Sequence, residues 1–124
     1  MADFTVTTSF SDSVTGMSLS RSDTFTLTGN DVGHGMADVT SGEYTVTLSA
    51  FAVGVGSAGY VFVKNHALSE SAEDYVDVGV ATTAYFMRLF PGMSGILPIA
   101  PATTAIYLIA NQGVIPVEIY VREA

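Results

Sequence analysis

Residues 89–117 read LFPGMSGILPIAPATTAIYLIANQGVIPV, and no charged side chain interrupts this run. A run of that length would suffice for a membrane-spanning helix, which needs about 20 continuous apolar residues. However, all 4 prolines of the chain lie inside it, and the turn-forming stretches Pro91-Gly92 and Asn111-Gln112-Gly113 divide it. The remaining pieces have the length of β-strands. The run therefore predicts successive strands that are covered on both faces, and no membrane partner is expected.

The rest of the second half also consists of short apolar segments with turn residues between them. The predicted strands are YVFVK (60–64), DYVDVG (74–79), AYFMRLF (84–90), AIYLIA (105–110) and VEIYVRE (117–123). Valine, isoleucine, tyrosine and phenylalanine favour extended structure. No segment has a sustained helical period, so this half of the chain is predicted to be all β.

The first half of the chain alternates between apolar residues and threonine or serine. In TFTLT (24–28), Phe25 and Leu27 face one way and the threonines face the other. EYTVTLS (43–49) repeats the pattern. A period of two with β-branched residues is typical of half-buried strands. Residues 9–22 are the least patterned stretch and are expected to form a long loop or an arm.

These features together predict the fold class. A chain of 124 residues fits one domain with one core. Several short strands with regular turn signals are typical of β-sandwiches and jelly rolls. We therefore predict that residues 1–124 form a single-domain, all-β, jelly-roll-like β-sandwich.

The charge balance bears on the partners of the chain. Four Lys and Arg residues stand against 12 Asp and Glu, for a net charge of −8. Such a chain repels phosphate backbones, so no nucleic-acid partner is expected. Charged residues make up 13% of the chain, whereas a typical soluble domain has about 25%. Part of the surface is therefore covered with serine and threonine, or is buried against another chain, and a homo-oligomer is expected.

Two glycine-rich stretches resemble functional motifs. GVGSAG (54–59) has the G-x-G-x-x-G spacing of dinucleotide-binding loops. That motif requires a helix after the glycines, where the pyrophosphate binds, but the strand YVFVK follows here. We therefore predict an inter-strand loop and no cofactor. NDVGHG (30–35) places a histidine between two glycines and is predicted to form a turn.

The titratable residues offer few candidates for ligands or catalysts. His34 and His66 are the only histidines, and they could bind a metal weakly with nearby carboxylates. The carboxylates of ESAEDYVD (70–77) do not match the spacing of a calcium loop, so we expect a solvated acidic loop without metal. The chain contains no cysteine and no G-x-S-x-G motif. We therefore expect no metal site and no enzymatic activity.

The order of motifs in residues 59–123 resembles a pattern in small virion proteins of tailed phages. The matching features are a strand that ends in Lys64-Asn65, a second strand that ends near Gly79, an RL-x-PG turn at 88–92, a Y-x-x-A strand that contains Tyr107, and a final strand that ends in Arg122-Glu123. The acidic insertion at 69–74 departs from the pattern. The resemblance implies a β-sandwich or jelly-roll subunit with a structural role, frequently a trimer, that decorates capsids or belongs to tails.

The resemblance thus implies a capsid decoration or cement protein on the virion surface, which binds the major capsid protein and forms a homo-oligomer, with a trimer favoured. The alternative is a phage tail or fibre module that binds host glycans. The residues predicted to lie at an interface are Phe90, Pro91, Met93, Ile96, Leu97, Pro98 and Ile99.

Overall fold

The computed structural model describes residues 2–27, 32–51, 58–69, 71–100 and 103–123. Among these residues all strand pairing is antiparallel, and the only helical element is a 3₁₀ turn at Leu48–Phe51. The strands are β1 (Ala2–Asp12), β2 (Met17–Leu27), β3 (Val32–Val39), β4 (Tyr44–Thr47), β5 (Ala58–Asn65), β6 (Val76–Ala81), β7 (Ala84–Leu89), β8 (Ser94–Pro98), β9 (Ala105–Ala110) and β10 (Ile115–Glu123). This content confirms the predicted all-β, sandwich-like fold class. Within the described ranges, no helix is long and apolar enough to cross a membrane.

The chain divides into two compact units, Met1–Asn30 and Asp31–Ala124. The first unit is the hairpin of β1 and β2, and the second contains the other eight strands. The assignment of residues 1–124 to a single domain stays a prediction.

The hairpin closes through a turn that its own side chains stabilise. Asp12 accepts hydrogen bonds from the Val14 amide at 2.9 Å and from the Thr15 hydroxyl at 2.8 Å. Gly16 has a φ of 73°, a conformation that glycine adopts without strain. Residues 9–22 thus form the closed end of a β-hairpin rather than a long loop, because this turn lets both strands continue their pairing up to it. The alternative of an arm stays a prediction.

One face of the hairpin carries a continuous set of exposed hydroxyl groups. Its described members are Thr5, Thr7, Ser9, Ser11, Ser18, Ser20, Ser22 and Thr24. Two pairs bond across the strands, Thr5 with Thr24 at 3.0 Å and Thr7 with Ser22 at 3.1 Å between the hydroxyl oxygens. This face accounts for part of the Ser- and Thr-covered surface expected from the composition.

The second unit is a jelly roll. Its two four-stranded sheets have the orders β3-β10-β5-β8 and β4-β9-β6-β7. The strand pairs are nested: β6 pairs with β7, β5 with β8, β4 with β9 and β3 with β10. The second half of this unit therefore runs antiparallel to the first half along its whole length. Successive pairs belong to alternate sheets. Eight strands arranged in this way form two packed sheets with Greek-key connections.

Both sheets contribute alternate residues to one core. In β10, Ile115, Val117, Ile119 and Val121 face inward, and each is at most 2% exposed. The other core residues are Ala37, Val39, Val46, Leu48, Val61, Val63, Val76, Val78, Leu89, Leu97, Ile106, Leu108 and Ala110. Complete burial of one such aliphatic side chain stabilises the fold by roughly 1.5–3 kcal/mol. This core is the main reason why the two sheets pack together.

The turn predicted at NDVGHG (30–35) is wrong for the described part of that stretch. β3 begins at Val32, and Gly33 and Gly35 pair with Val121 and Ile119 of β10. The two glycines lie at inward positions beside the large aliphatic residues of β10, so strand pairing and core space outweigh the local turn preference of glycine. Residues 30 and 31 lie outside the described residues.

The GVGSAG stretch is described only in part. Residues 54–57 lie outside the described residues, and Ala58 and Gly59 belong to β5. The inter-strand loop expected there stays a prediction.

Candidate functional site

Three connections meet at one end of the jelly roll, and we call this region the loop-end surface. It comprises residues 66–69, 71–75, 90–93 and 111–114, which line two neighbouring grooves or bond directly to one another. The connection before β6 carries most of the predicted acidic loop, the connection before β8 carries Pro91-Gly92, and the connection before β10 carries Asn111-Gln112-Gly113. Strand pairing beneath these loops supports them, and binding residues are often found on loops that a rigid scaffold positions.

Asn65, the last residue of β5, holds these loops in place. Its side chain is 0% exposed. Its Nδ2 group donates to the carbonyl oxygens of Asp74 and Leu89, at 2.9 Å each, and its Oδ1 atom accepts from the Ala67 amide at 2.8 Å. The side-chain amide is therefore satisfied at both ends, as a buried polar group must be.

The backbone of Asn65 also anchors the Pro91-Gly92 turn. The Gly92 amide donates to the Asn65 carbonyl oxygen at 2.9 Å, and the Asn65 amide donates to the Met93 carbonyl oxygen at 3.0 Å. Gly92 has a φ of 82°, which explains why this turn requires glycine. The side chain and the backbone of one buried residue thus position two of the three loops.

Hydrogen bonds join the acidic loop to the third loop. The Asn111 Nδ2 group donates to the carbonyl oxygen of Glu73 at 3.1 Å and to its Oε2 atom at 3.2 Å. The Gln112 Nε2 group donates to Asp74 Oδ1 at 2.9 Å. This bond, followed by one from the Ser69 hydroxyl, lowers the pKa of Asp74. The loop acids in the described residues therefore accept bonds from amides, while Glu70 lies outside the described residues.

Asp77, which belongs both to the predicted strand 74–79 and to the predicted solvated acidic loop 70–77, lies within β6. Its carboxylate accepts two hydrogen bonds from Arg88, at 2.8 Å from Nε and 3.1 Å from a terminal nitrogen. The guanidinium carbon lies 3.8 Å from the centre of the Tyr75 ring, and that ring meets Phe90 edge-on at 6.1 Å. The hydrogen bonds to Asp77 raise the pKa of Arg88. Arg88 thus covers one face of Tyr75.

Large apolar side chains are exposed on the loop-end surface. Leu68 is 99% exposed, Val114 63%, Met93 47% and Phe90 39%. Leu68 borders two grooves at once. One groove of about 550 Å³ is lined by Ala67, Leu68, Ser69, Ala72, Phe90, Pro91 and Gly92. The other, of about 340 Å³, extends from Leu68 past Asp74 to Val114 and Pro116.

The seven predicted interface residues separate into surface and core. Phe90, Pro91 and Met93 lie on the loop-end surface. Ile96 and Pro98 are exposed on the outer face of β8, where Ile96 is opposite Phe62 of β5. In contrast, Leu97 is 6% exposed and belongs to the core, against which Ile99 also packs. A partner could reach the first five residues but not Leu97.

A second cluster lies on the outer face of the β3-β10-β5-β8 sheet. The carboxylate of Glu118 in β10 bonds to two histidines. One oxygen lies 2.7 Å from Nε2 of His34 in β3, and the other lies 2.9 Å from Nε2 of His66, which follows β5. The bond from His66, followed by that from His34, lowers the pKa of Glu118. Among the described residues, no group of three or more His, Cys, Asp and Glu residues is arranged to hold a metal ion.

Sequence reasoning treated the two histidines as isolated, and it did not identify Glu118 or Asn65 as organising residues. The histidines lie 84 and 52 positions from Glu118, and only the register of β10 with its neighbours brings them together. The Lys64-Asn65 pair is part of the resemblance to phage virion proteins, and an asparagine at the end of an apolar strand is the available signal for a buried polar group.

Comparison of the chain with models of protein families, with curated proteins and with solved structures finds no match.

Proposed function

We propose that the chain is a structural protein of a virion, a capsid decoration or cement subunit that binds the major capsid protein and acts as a homo-oligomer. The observation that carries this proposal is the cluster of exposed large apolar side chains at the loop end of a jelly roll. Jelly rolls occur among viral capsid domains, but also among lectins and cupins. Since one fold hosts many functions, the surface and not the fold has to support the choice.

The loop-end surface suits a protein partner better than a small molecule. Its grooves are shallow, and Leu68 projects between them rather than lining the floor of a cleft. Small-molecule sites are concave and enclose most of their ligand. Exposed apolar groups that cluster in this way are typical of protein–protein contacts, which bury roughly 800 Å² of each partner when they are stable.

A cement function requires no chemistry from the chain itself. Each copy adds contacts across neighbouring capsid subunits, and many weak contacts on one lattice act together through multivalency. The net charge of −8 favours attachment to a neutral or basic surface of the capsid. A trimer remains the preferred oligomer because of the resemblance to phage virion proteins.

The proposal is tested with particles from which the protein has been stripped. Purified protein should rebind these particles and restore their resistance to heat or osmotic shock. Stripped particles that neither rebind the protein nor differ in stability from intact ones would refute the decoration function.

The glycan-binding alternative would then take first place. It requires an exposed aromatic platform on which a sugar ring can stack, whereas one face of Tyr75 is already covered by Arg88. Selective binding of the chain to a glycan array would support this alternative.

A further inference from the structure

Leu68 is the most exposed large apolar side chain among the described residues, at 99%. It stands between the two grooves of the loop-end surface, with Phe90 on one side and Val114 on the other. The loops beneath it are held by the buried Asn65. An exposed apolar side chain with apolar neighbours gains most when a partner covers it, because its burial removes apolar area from water.

The residues of the loop-end surface carry charges of one sign. Its described residues include Glu73 and Asp74 but no lysine or arginine, and Arg88, which stacks on Tyr75, is paired with Asp77. Glu73 is exposed, and Asp74 accepts the amide of Gln112, which favours its ionised form. Apart from Leu68 itself, the lining of the larger groove consists of small or apolar residues without charge. The surface is therefore an apolar centre with an acidic rim.

We propose that the loop-end surface docks onto a protein surface that presents an apolar pocket inside a rim of lysine or arginine, with Leu68 entering the pocket. Charge complementarity favours this occupant over a second copy of the chain at this face, because two copies that met here would bring the carboxylates of Glu73 and Asp74 together. The assignment of this face to the capsid side rests on the proposed function, whereas the chemistry of the partner does not.

The first test uses a fluorescent amphipathic peptide of leucine and lysine as the probe, titrated with the full chain. Leu68→Ser should weaken binding about tenfold or more, as expected for a central apolar anchor. The matched control is Val14→Ser, because Val14 is 93% exposed and lies in the hairpin turn of the other unit. Neither site is buried, so both variants should keep the melting temperature of the unchanged chain.

The second test addresses the acidic rim. Glu73→Gln combined with Asp74→Asn should weaken peptide binding several-fold and flatten its dependence on salt, because exposed charges are screened at high ionic strength. Asp38→Asn, which changes an exposed carboxylate of β3, should leave both unchanged. The proposal is overturned if the unchanged chain does not bind the peptide, or if the controls lose as much affinity as the loop-end variants.

Stripped particles then separate this inference from the proposed function. If the unchanged chain and Leu68→Ser rebind particles equally well, the docking face is wrong and the decoration function stands. If neither rebinds while the peptide results hold, the decoration function fails and the partner chemistry stands. Sedimentation of the chain alone tests whether a second copy is the occupant. A dimer that becomes stronger at high salt and is lost in Leu68→Ser would overturn the proposal.

Discussion

Replacement of Asn65 by alanine should destabilise the chain far more than its small change in volume implies. The variant removes three hydrogen bonds of the side-chain amide and leaves the carbonyls of Asp74 and Leu89 and the amide of Ala67 without that partner. Each of these bonds contributes roughly 1 kcal/mol net, and groups left unpaired in the interior add a penalty. We expect the free energy of unfolding to fall by about 3 kcal/mol, which lowers the melting temperature by roughly 10 °C in a chain of this size.

Asn111→Ala provides a matched control. Asn111 also makes three side-chain hydrogen bonds, two from Nδ2 to Glu73 and one from the Tyr75 hydroxyl to Oδ1, but it is exposed. Water replaces its bonds when the side chain is removed, so the free energy of unfolding should fall by about 1 kcal/mol or less. The difference between the two variants measures the effect of burial.

Asn65→Asp separates hydrogen bonding from packing, because it keeps the size of the side chain. Its carboxylate would face the carbonyl oxygens of Asp74 and Leu89, which disfavours the charged form and raises the pKa of the new side chain in the folded state. Stability from a group with a raised folded-state pKa is present below the unfolded pKa of about 3.9 and is lost as pH rises. The variant should therefore be more destabilised at pH 7 than at pH 3.

Urea unfolding followed by tyrosine fluorescence would measure all three variants, since the chain has 6 tyrosines and no tryptophan. The reasoning is refuted if Asn65→Ala and Asn111→Ala lose the same amount, or if the deficit of Asn65→Asp does not depend on pH.

Three further perturbations have defined outcomes. Gly79→Ala should cost about 1–3 kcal/mol in a denaturant titration, because a Cβ atom at this position would overlap the Ala84 carbonyl group beside the bulge between β6 and β7; an unchanged midpoint would contradict this. Glu118→Gln should lower the melting temperature more at neutral pH than at pH 3. Glu118 has a lowered folded-state pKa, so the stability that its charged form adds above pH 4.5 is lost on acidification. Equal losses at both pH values would show that the two histidines do not stabilise this charged form. Ile96→Asp should weaken the oligomer or its attachment to particles, because it places an unpaired charge in the proposed interface. Val80→Asp, at another exposed strand position, is the control. Light scattering that shows a monomer for the unchanged chain at every concentration would exclude a stable oligomer in solution.

The fold class could be predicted from local sequence because its signals are local. Alternation in TFTLT and the prolines of residues 89–117 both report on the conformation of neighbouring residues. AIYLIA was predicted as 105–110, and β9 has the same bounds. A strand period repeats every two residues, so it needs no knowledge of the partner strand.

The errors arose where a distant strand decides the outcome. The stretch around His34 reads as a turn until β10 provides the pairing partner. In the sequence, Leu97 and Ile96 both lie in an uncharged run, and nothing local distinguishes their accessibility to a partner. Only the register of β8 with β5 places Leu97 in the core and Ile96 on the surface. The bonds of Glu118 to two histidines depend on the same kind of register, which no local pattern encodes.

The nested pairing of the jelly roll has a consequence for how the chain acquires its structure. The ends of the second unit pair with each other, Val32 with Arg122, whereas Asp77 pairs with Arg88 close to the innermost turn. Loop closure costs least there, so we expect the folding nucleus to include the β6–β7 hairpin, with outer pairs added in order of their sequence separation. Folding dominated by such distant contacts takes milliseconds to seconds. Until β10 has been synthesised, β3 and β5 lack their shared neighbour, and we expect their unpaired edges to be exposed to aggregation.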